Sequence, residues 1–176
     1  MLWRLLDGEV EEDGNYLTVG NYLKTRYQFY HEGLDLRGAK GTAIYSFIFG
    51  EVIAWGCFGN YGKTILIKQI LEEKSKIQKV FLLAHLSSYG TGIKKGLKIA
   101  PGDIIAYAGN SGGNWPVHLH ISFGKIATEK LKESSSYREI YKKLENNINN
   151  PLYHSAKKTQ IGAFKNEKNI VNAIFI

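Results

Sequence analysis

Four of the five histidines, together with one aspartate, form an ordered pattern along the 176-residue chain. His31 is followed four residues later by Asp35, His85 stands within Ala-His-Leu-Ser, and a His-Leu-His tripeptide begins at His118. Catalytic zinc takes three protein ligands from His, Asp and Glu and keeps a fourth position for water, whose pKa it lowers to about 7. The pattern therefore predicts a zinc hydrolase with one zinc ion per chain, in which the remaining histidines move protons or stabilise an oxyanion.

Strand geometry limits the candidates for the zinc ligands but does not decide between His118 and His120. Residues i and i+2 of a strand point to the same face about 6.5 to 7 Å apart, so His118 and His120 present both imidazoles to one side. His31, Asp35 and either member of that pair would supply three ligands. His85 and the other histidine would then be the proton-transfer groups.

Each part of the pattern also has a structural interpretation. A single histidine on an apolar strand, such as His85, is usually a satisfied or surface residue, and His-x-x-x-Asp pairs arise by chance in helices and turns. The three parts in this order, framed by glycine-rich turns, favour the functional interpretation. Glu32 is an alternative ligand beside His31, whereas His154 has no partner in the pattern and is interpreted as structural or exposed.

The elements that must position these residues are short strands separated by turn sequences rich in Gly and Asn. Six stretches are rich in β-branched or aromatic residues and bounded by Gly, Asn or Pro, namely 42–48, 50–56, 63–70, 79–86, 103–109 and 117–123. Short connections favour antiparallel pairing. The sequence therefore predicts an all-β core.

One short helix is predicted after this core. Ser136 and Glu139 have the spacing of a capping box, and an apolar and aromatic stripe follows at helical spacing, which predicts a helix over about 137–147. Pro151 and the two asparagines before it would end the helix. We expect a lead-in segment over 1–27, one domain over 28–153 that contains an insertion with this helix over about 125–148, and a C-terminal tail over 154–176. The end of that tail alternates like a strand, so the tail either pairs back onto the sheet or begins a further domain.

Composition and net charge exclude some classes of protein and favour some classes of partner. A 44% hydrophobic content excludes a disordered chain, and the single cysteine, Cys57, excludes an internal disulfide and is interpreted as a small core residue. The net charge of +7 favours an acidic partner such as an anionic cell-wall surface. Nucleic acid is not favoured because the lysines are scattered and form no basic helix. No transmembrane run and no secretory signal are recognised, so any export signal would lie outside this chain.

At these residues the chain resembles zinc endopeptidases of the lysostaphin and LytM type, which cut peptide cross-links of bacterial peptidoglycan. The resemblance covers about residues 28–124 and continues to 150–153. Its matching segments are His31-Glu32-Gly33-Leu34-Asp35, 41–46, 50–53, Gly59-Asn60-Tyr61-Gly62, Leu83-Ala84-His85-Leu86-Ser87, 93–96, Gly109-Asn110-Ser111-Gly112 and His118-Leu119-His120.

The resemblance implies a role for each site residue. It implies that His31, Asp35 and His120 bind zinc, and that His85 and His118 are the catalytic histidines. The choice of His120 over His118 as ligand comes from the resemblance alone. It also implies a mainly antiparallel β-sandwich, a peptidoglycan peptide as substrate, and an extracytoplasmic location in the periplasm, in the cell envelope or as a secreted protein.

Departures from the family pattern leave alternatives open. Val117 stands where a small residue or Pro is usual, and Ile121-Ser122-Phe123 replaces the usual Phe-Glu, which puts substrate contacts in doubt but not the metal set. One alternative is a non-catalytic scaffold or activator that binds cell-wall peptide or a partner protein, with zinc as a structural ion. Another is a zinc hydrolase that acts on a different peptide or amide. The sequence leaves the scissile bond and the oligomeric state undetermined.

Overall fold

Two antiparallel sheets account for most of the fold, which a computed structural model describes for residues 18–20, 25–26, 29–30, 34–70, 75–114 and 116–145. In chain order its strands are β1 (Thr18–Gly20), β2 (Thr25–Arg26), β3 (Phe29–Tyr30), β4 (Leu34–Arg37), β5 (Ala43–Tyr45), β6 (Gly50–Cys57), β7 (Lys63–Gln69), β8 (Ile77–Leu86), β9 (Ser88–Tyr89), β10 (Lys98–Ile99), β11 (Ile104–Tyr107) and β12 (His118–Ala127). The large sheet has the order β1-β4-β12-β8-β7-β6-β10, the second sheet has the order β5-β11-β9, and β2 pairs with β3.

The main apolar core lies between the two larger sheets. Leu119 and Ile121 of β12 belong to the same buried cluster as Ile65 of β7 and as Ile44 and Ile105 of the second sheet. All five side chains are at most 2% exposed, and each gains roughly 2 kcal/mol from its removal from water. The prediction of an all-β, mainly antiparallel sandwich is therefore confirmed.

The opposite face of the large sheet is covered in part by helices that follow β12. These are α1 (Thr128–Lys132) and α2 (Tyr137–Glu145). Ile140 of α2 is 2% exposed and shares a second apolar cluster with Leu66, Leu82 and Ala84 of the sheet. Because residues of a strand alternate between faces, α2 packs on the face that carries Leu82 and Ala84 and not on the face of the main core.

Helix α2 begins where the capping signal predicts. The Ser136 hydroxyl accepts a hydrogen bond from the Glu139 N–H at 3.3 Å, as an N-cap residue does. The Glu139 carboxylate accepts from the Ser135 N–H at 2.7 Å instead of from Ser136, so the second bond of the predicted capping box is displaced by one residue. The predicted helix is confirmed from 137 to 145, and its predicted end lies outside the described residues.

Each of the six predicted stretches contains a strand, with two notable differences in length. β5 ends at Tyr45 because the next residue, Ser46, turns the chain by bonding its side chain to the backbone of Ile48. β12 continues past Phe123 to Ala127 because this segment stays paired with β8. Residues 125–127, which were predicted to open an insertion, therefore belong to the sheet, and α1 was not predicted.

The interpretation of Cys57 as a core residue is wrong. Cys57 is exposed near the end of β6, where alternate residues face solvent, and Trp55 two residues earlier is 45% exposed. Tyr89 of the second sheet contacts the Trp55 ring and bonds the Gly56 carbonyl, yet neither Trp55 nor Cys57 is buried.

Several predictions fall on residues that the structure does not describe. These are His31, Glu32, His154, the tail over 154–176 and most of the lead-in segment. The domain boundaries stay predictions. In the described part of the chain, no helix has the length and apolarity needed to cross a membrane.

Candidate metal and catalytic site

Asp35 and His120 lie directly opposite each other in the ladder between β4 and β12. Directly paired residues of an antiparallel ladder carry their side chains on the same face, about 5 Å apart at Cβ. Both side chains are buried, with 1% and 5% of their surface exposed, and Asp35 Oδ1 lies 2.9 Å from His120 Nδ1. The sheet thus brings a carboxylate and an imidazole nitrogen together on residues that are 85 positions apart in sequence.

This pair fits two ligands of a zinc ion. Carboxylate oxygen and imidazole nitrogen are typical zinc donors, and neighbouring ligand atoms of a tetrahedral site lie about 3.4 Å apart when the bonds are near 2.1 Å. Oδ1 and Nδ1 lie 2.9 Å apart in the metal-free pair, so a shift of about 0.5 Å would bring them to that spacing. Among the described residues no group of three or more His, Cys, Asp or Glu is arranged to hold a metal, and the third predicted ligand, His31, lies outside them.

His118 lies on the same face as His120 but is held differently. Its Nδ1 lies 2.6 Å from the carbonyl oxygen of Pro116, to which an Nδ1–H donates. That tautomer leaves Nε2 as the acceptor nitrogen, and Nε2 lies 3.7 Å from Asp35 Oδ1. His120 therefore presents Nδ1 to the carboxylate at contact distance, whereas His118 presents Nε2 from farther away.

His85 reaches the site because β8 is bulged. Lys63 pairs with Leu86 and Ile65 pairs with Leu83, so β8 has two residues, Ala84 and His85, where β7 has one. Bulges of this kind re-aim a side chain next to many active sites. His85 is the only described residue other than glycine with positive φ, at 60°. Ala84 is paired with His120, so regular alternation would have sent the next side chain to the other face.

A loop contact fixes the orientation of the His85 ring. His85 Nδ1 lies 3.0 Å from the carbonyl oxygen of Ser111, and the matching tautomer again leaves Nε2 as the acceptor. The Ser111 hydroxyl donates to the Leu86 carbonyl at 2.8 Å and accepts from the Lys63 N–H at 2.8 Å. One serine thus ties the 109–112 loop to both strands beside the bulge.

Two glycines allow this loop to approach so closely. A Cβ on Gly62 would lie 2.3 Å from the Ser111 carbonyl carbon, and a Cβ on Gly112 would lie 2.4 Å from the Asn60 carbonyl oxygen. Both glycines also have positive φ, at 62° and 92°. The two Gly-Asn-x-Gly motifs of the sequence therefore pack against each other. This packing determines the position of the Ser111 carbonyl.

The three imidazoles form one cluster. The His85 ring centroid lies 4.7 Å from that of His118 and 5.9 Å from that of His120. Burial lowers the pKa of His85 from 6.5 to about 4, and repulsion by the other two histidines acts in the same direction, against the opposing effects of the Ser111 hydrogen bond and of Asp35. His85 is therefore neutral near pH 7 and able to accept a proton.

The structure thus brings together four of the five predicted site residues, namely Asp35, His85, His118 and His120. Sequence reasoning missed Tyr61, whose ring centroid lies 5.6 Å from that of His120. The Gly-Asn-Tyr-Gly turn that carries it was recognised only as turn chemistry and as part of the resemblance. Ser111 was missed as well, because its role depends on a backbone carbonyl.

Known proteins resemble this chain in sequence and in fold. The sequence profile of Peptidase family M23 matches residues 29–136. The L-Ala--D-Glu endopeptidase of Bacillus subtilis (strain 168) is 33% identical over 104 residues, and the match covers 54% of this chain and 29% of that protein. The chain therefore spans less than a third of the length of this relative.

Solved structures of similar fold include two peptidases. The antimicrobial peptidase lysostaphin from Staphylococcus simulans has a TM-score of 0.50 and 22% identity, over 85% of this chain and 53% of that chain. A zinc containing peptidase from Vibrio cholerae has a TM-score of 0.49 and 24% identity, over 71% of this chain and 37% of that chain. At this identity, the similarity to lysostaphin is a similarity of fold.

Proposed function

The chain belongs to peptidase family M23, and we propose that it is a zinc-dependent endopeptidase that hydrolyses a peptide bond of bacterial peptidoglycan, in a stem peptide or a cross-bridge. The observation that carries the proposal is the buried pair of Asp35 and His120, with 2.9 Å between Oδ1 and Nδ1, beside two further imidazoles. A relative that is an endopeptidase supports a peptide bond as the substrate class.

The proposed zinc ligands are His31, Asp35 and His120. Zinc bound there supplies a Lewis acid that lowers the pKa of water and polarises a carbonyl group. Asp35 contributes the negative charge that offsets part of the charge of the cation in a buried site. His120 contributes a neutral nitrogen and is held by the ladder on both sides, since β12 lies between β4 and β8.

The proposed proton-transfer groups are His85 and His118. Each donates its Nδ1–H to a backbone carbonyl, which holds the ring in place and leaves Nε2 to accept a proton from water and return one to the leaving amine. Once protonated, either ring also stabilises negative charge on the tetrahedral oxyanion. The lowered pKa of His85 keeps it in the accepting form at neutral pH.

The proposed partner is the cell wall outside the cytoplasm. A net charge of +7 favours adsorption to an anionic wall, and such adsorption weakens as salt shortens the Debye length. Binding to purified sacculi that does not change between low and high salt would remove this part of the proposal. Its loss would leave the proposed chemistry unaffected.

Mass spectrometry of soluble products from purified sacculi tests the proposal. We expect the zinc-loaded protein to release fragments split at a peptide bond, and we expect none from chelator-treated protein until zinc is restored. The mass of the fragments names the bond. Absence of release by protein that still carries zinc would reject the peptidase and favour a scaffold or activator.

A further inference from the structure

Helix α2 borders the face of the sheet that carries the site. Ala84 of β8 is paired with His120, and Ala84 belongs to the apolar cluster that Ile140 of α2 covers. The site and the helix therefore share one face of the large sheet. The profile of the family ends at residue 136 and α2 begins at Tyr137, so the helix is not part of the matched family core.

A pair of tyrosines joins this helix to the site. The hydroxyl oxygens of Tyr61 and Tyr141 lie 3.1 Å apart, and their rings meet edge to face at a centroid distance of 5.8 Å. The Tyr61 ring centroid then lies 5.6 Å from that of His120 and 6.4 Å from that of His85. One phenol thus touches α2 with its hydroxyl and the imidazole cluster with its ring.

The helix end of this pair is well anchored. Tyr137 stacks on Phe58 with 3.5 Å between ring centroids and on Tyr141 with 5.7 Å. Ile140 is buried against the sheet, and Lys143 Nζ donates to the carbonyl of Lys130 at 2.9 Å. The position of Tyr141 is therefore well determined, and its hydroxyl holds that of Tyr61.

The turn end of the pair is ordered through its backbone. Tyr61 closes a single 3-10 turn, Gly59–Tyr61, which contains no buried residue. The next residue, Gly62, packs against the Ser111 carbonyl, and the Tyr61 side chain packs against the apolar cluster that includes Ile140. The hydroxyl contact with Tyr141 adds a direct link between this ring and α2.

We propose that Tyr141 is a positioning residue for the hydrolysis, which acts through the Tyr61 hydroxyl to hold the Tyr61 ring against His120 and His85. Helix α2 in this way borders the site from outside the region that the family profile matches. The inference rests on the proposed function for its effect on turnover, but the contact itself can be tested without turnover.

Phenylalanine variants test the effect on turnover. Tyr141→Phe and Tyr61→Phe each keep the ring and remove the same hydroxyl pair, so we expect each to lower kcat about 5-fold with little change in KM. The double variant should lower kcat by less than the product of the two single effects, because both single variants lose the same contact between the two hydroxyls. Effects that multiply in the double variant, or a kcat equal to wild type, would overturn the proposal.

Tyr89→Phe is the matched control. It also removes a half-buried phenol hydroxyl, which donates to the Gly56 carbonyl at 2.8 Å, on a ring that packs against Trp55. We expect kcat close to that of wild type. A loss equal to that of Tyr141→Phe would show that the effect is one of general stability and would reject a positioning role.

Imidazole NMR of the metal-free protein separates this inference from the proposed function. Tyr141→Phe should shift the ring ¹⁵N and ¹H signals of His120 and His85, and Tyr89→Phe should leave them in place. Unshifted signals in Tyr141→Phe would overturn the inference even if the protein hydrolyses peptidoglycan. Shifted signals in a protein that releases no fragments would keep the contact and reject the peptidase.

Discussion

The two halves of the site are built by different means. Asp35 and His120 are paired residues of a regular ladder, and the sheet alone determines that their side chains meet. His85 instead depends on a bulge, on a φ of 60° and on a loop carbonyl. Asp35 and His120 should therefore keep their positions when the loops are damaged, whereas His85 should not.

Loss of His120 should have the largest effect on turnover, because it removes one of the two paired zinc ligands in the ladder between β4 and β12. His120→Ala removes one of the proposed zinc ligands, the imidazole that lies 2.9 Å from the buried Asp35 carboxylate. We expect both the bound zinc and at least about 1000-fold of the turnover to be lost, since metal catalysis contributes several kcal/mol. Metal analysis and product release, measured on the same preparation, check this. Full zinc content in His120→Ala would show that the ladder pair is not the metal site.

Gly62→Ala should damage the other half while it spares the first. The added Cβ would collide with the Ser111 carbonyl group, which must then move away from His85. We expect zinc to be retained and turnover to fall about 10- to 100-fold, as for the loss of an orienting group. Product release and metal content are the measurements.

Gly96→Ala is the control for this collision. Gly96 has a φ of 85°, so alanine there costs about 1–2 kcal/mol of backbone strain, yet its Cβ meets nothing within 4 Å. Gly62→Ala should be the less stable variant in chemical denaturation, because its ψ of −139° lies outside the left-handed region that alanine can enter and the collision adds to that strain. Only Gly62→Ala should lose turnover. Equal losses of turnover would show that backbone strain, and not the Ser111 contact, is responsible.

The pH dependence of stability should report the burial of His85 in the metal-free protein. Burial lowers the pKa of His85 to about 4, against 6.5 in the unfolded chain, so the unfolded state binds the proton first. The free energy of unfolding should therefore fall as the pH drops from 6.5 towards 4, and this contribution should level off below that. Urea denaturation at several pH values measures it.

His85→Asn is the matched variant because asparagine tolerates a positive φ and does not titrate. Its stability should depend less steeply on pH over the same interval than that of wild type. Equal slopes in the two proteins would mean that His85 is not held in its neutral form by burial.

The same division explains what could be predicted from the sequence. Alternation along a strand placed His118 and His120 on one face without any structure, because strand periodicity is local. The bulge at His85 leaves no such signal, since a left-handed histidine looks like any other residue in a run of apolar letters. Cys57 was misplaced for a related reason, because its exposure at the end of β6 depends on tertiary packing and not on the apolar composition of the strand.

Tyr61 and Ser111 show a further limit of the sequence. Both lie in Gly-Asn-x-Gly turns that indicate backbone geometry but not what the turn touches. Their roles arise from contacts between segments that lie far apart, such as the 3.1 Å between the Tyr61 and Tyr141 hydroxyls. Only packing brings such partners together.

Zinc content and product release of His85→Asn, determined on one preparation, test whether the ladder pair binds zinc independently of His85. We expect one zinc ion per chain, as in wild type, together with a loss of turnover of about 100-fold or more, because a proton-transfer group is removed and the ladder pair is untouched. Turnover near that of wild type, or loss of zinc to the extent expected for His120→Ala, would contradict the division of the site into two halves.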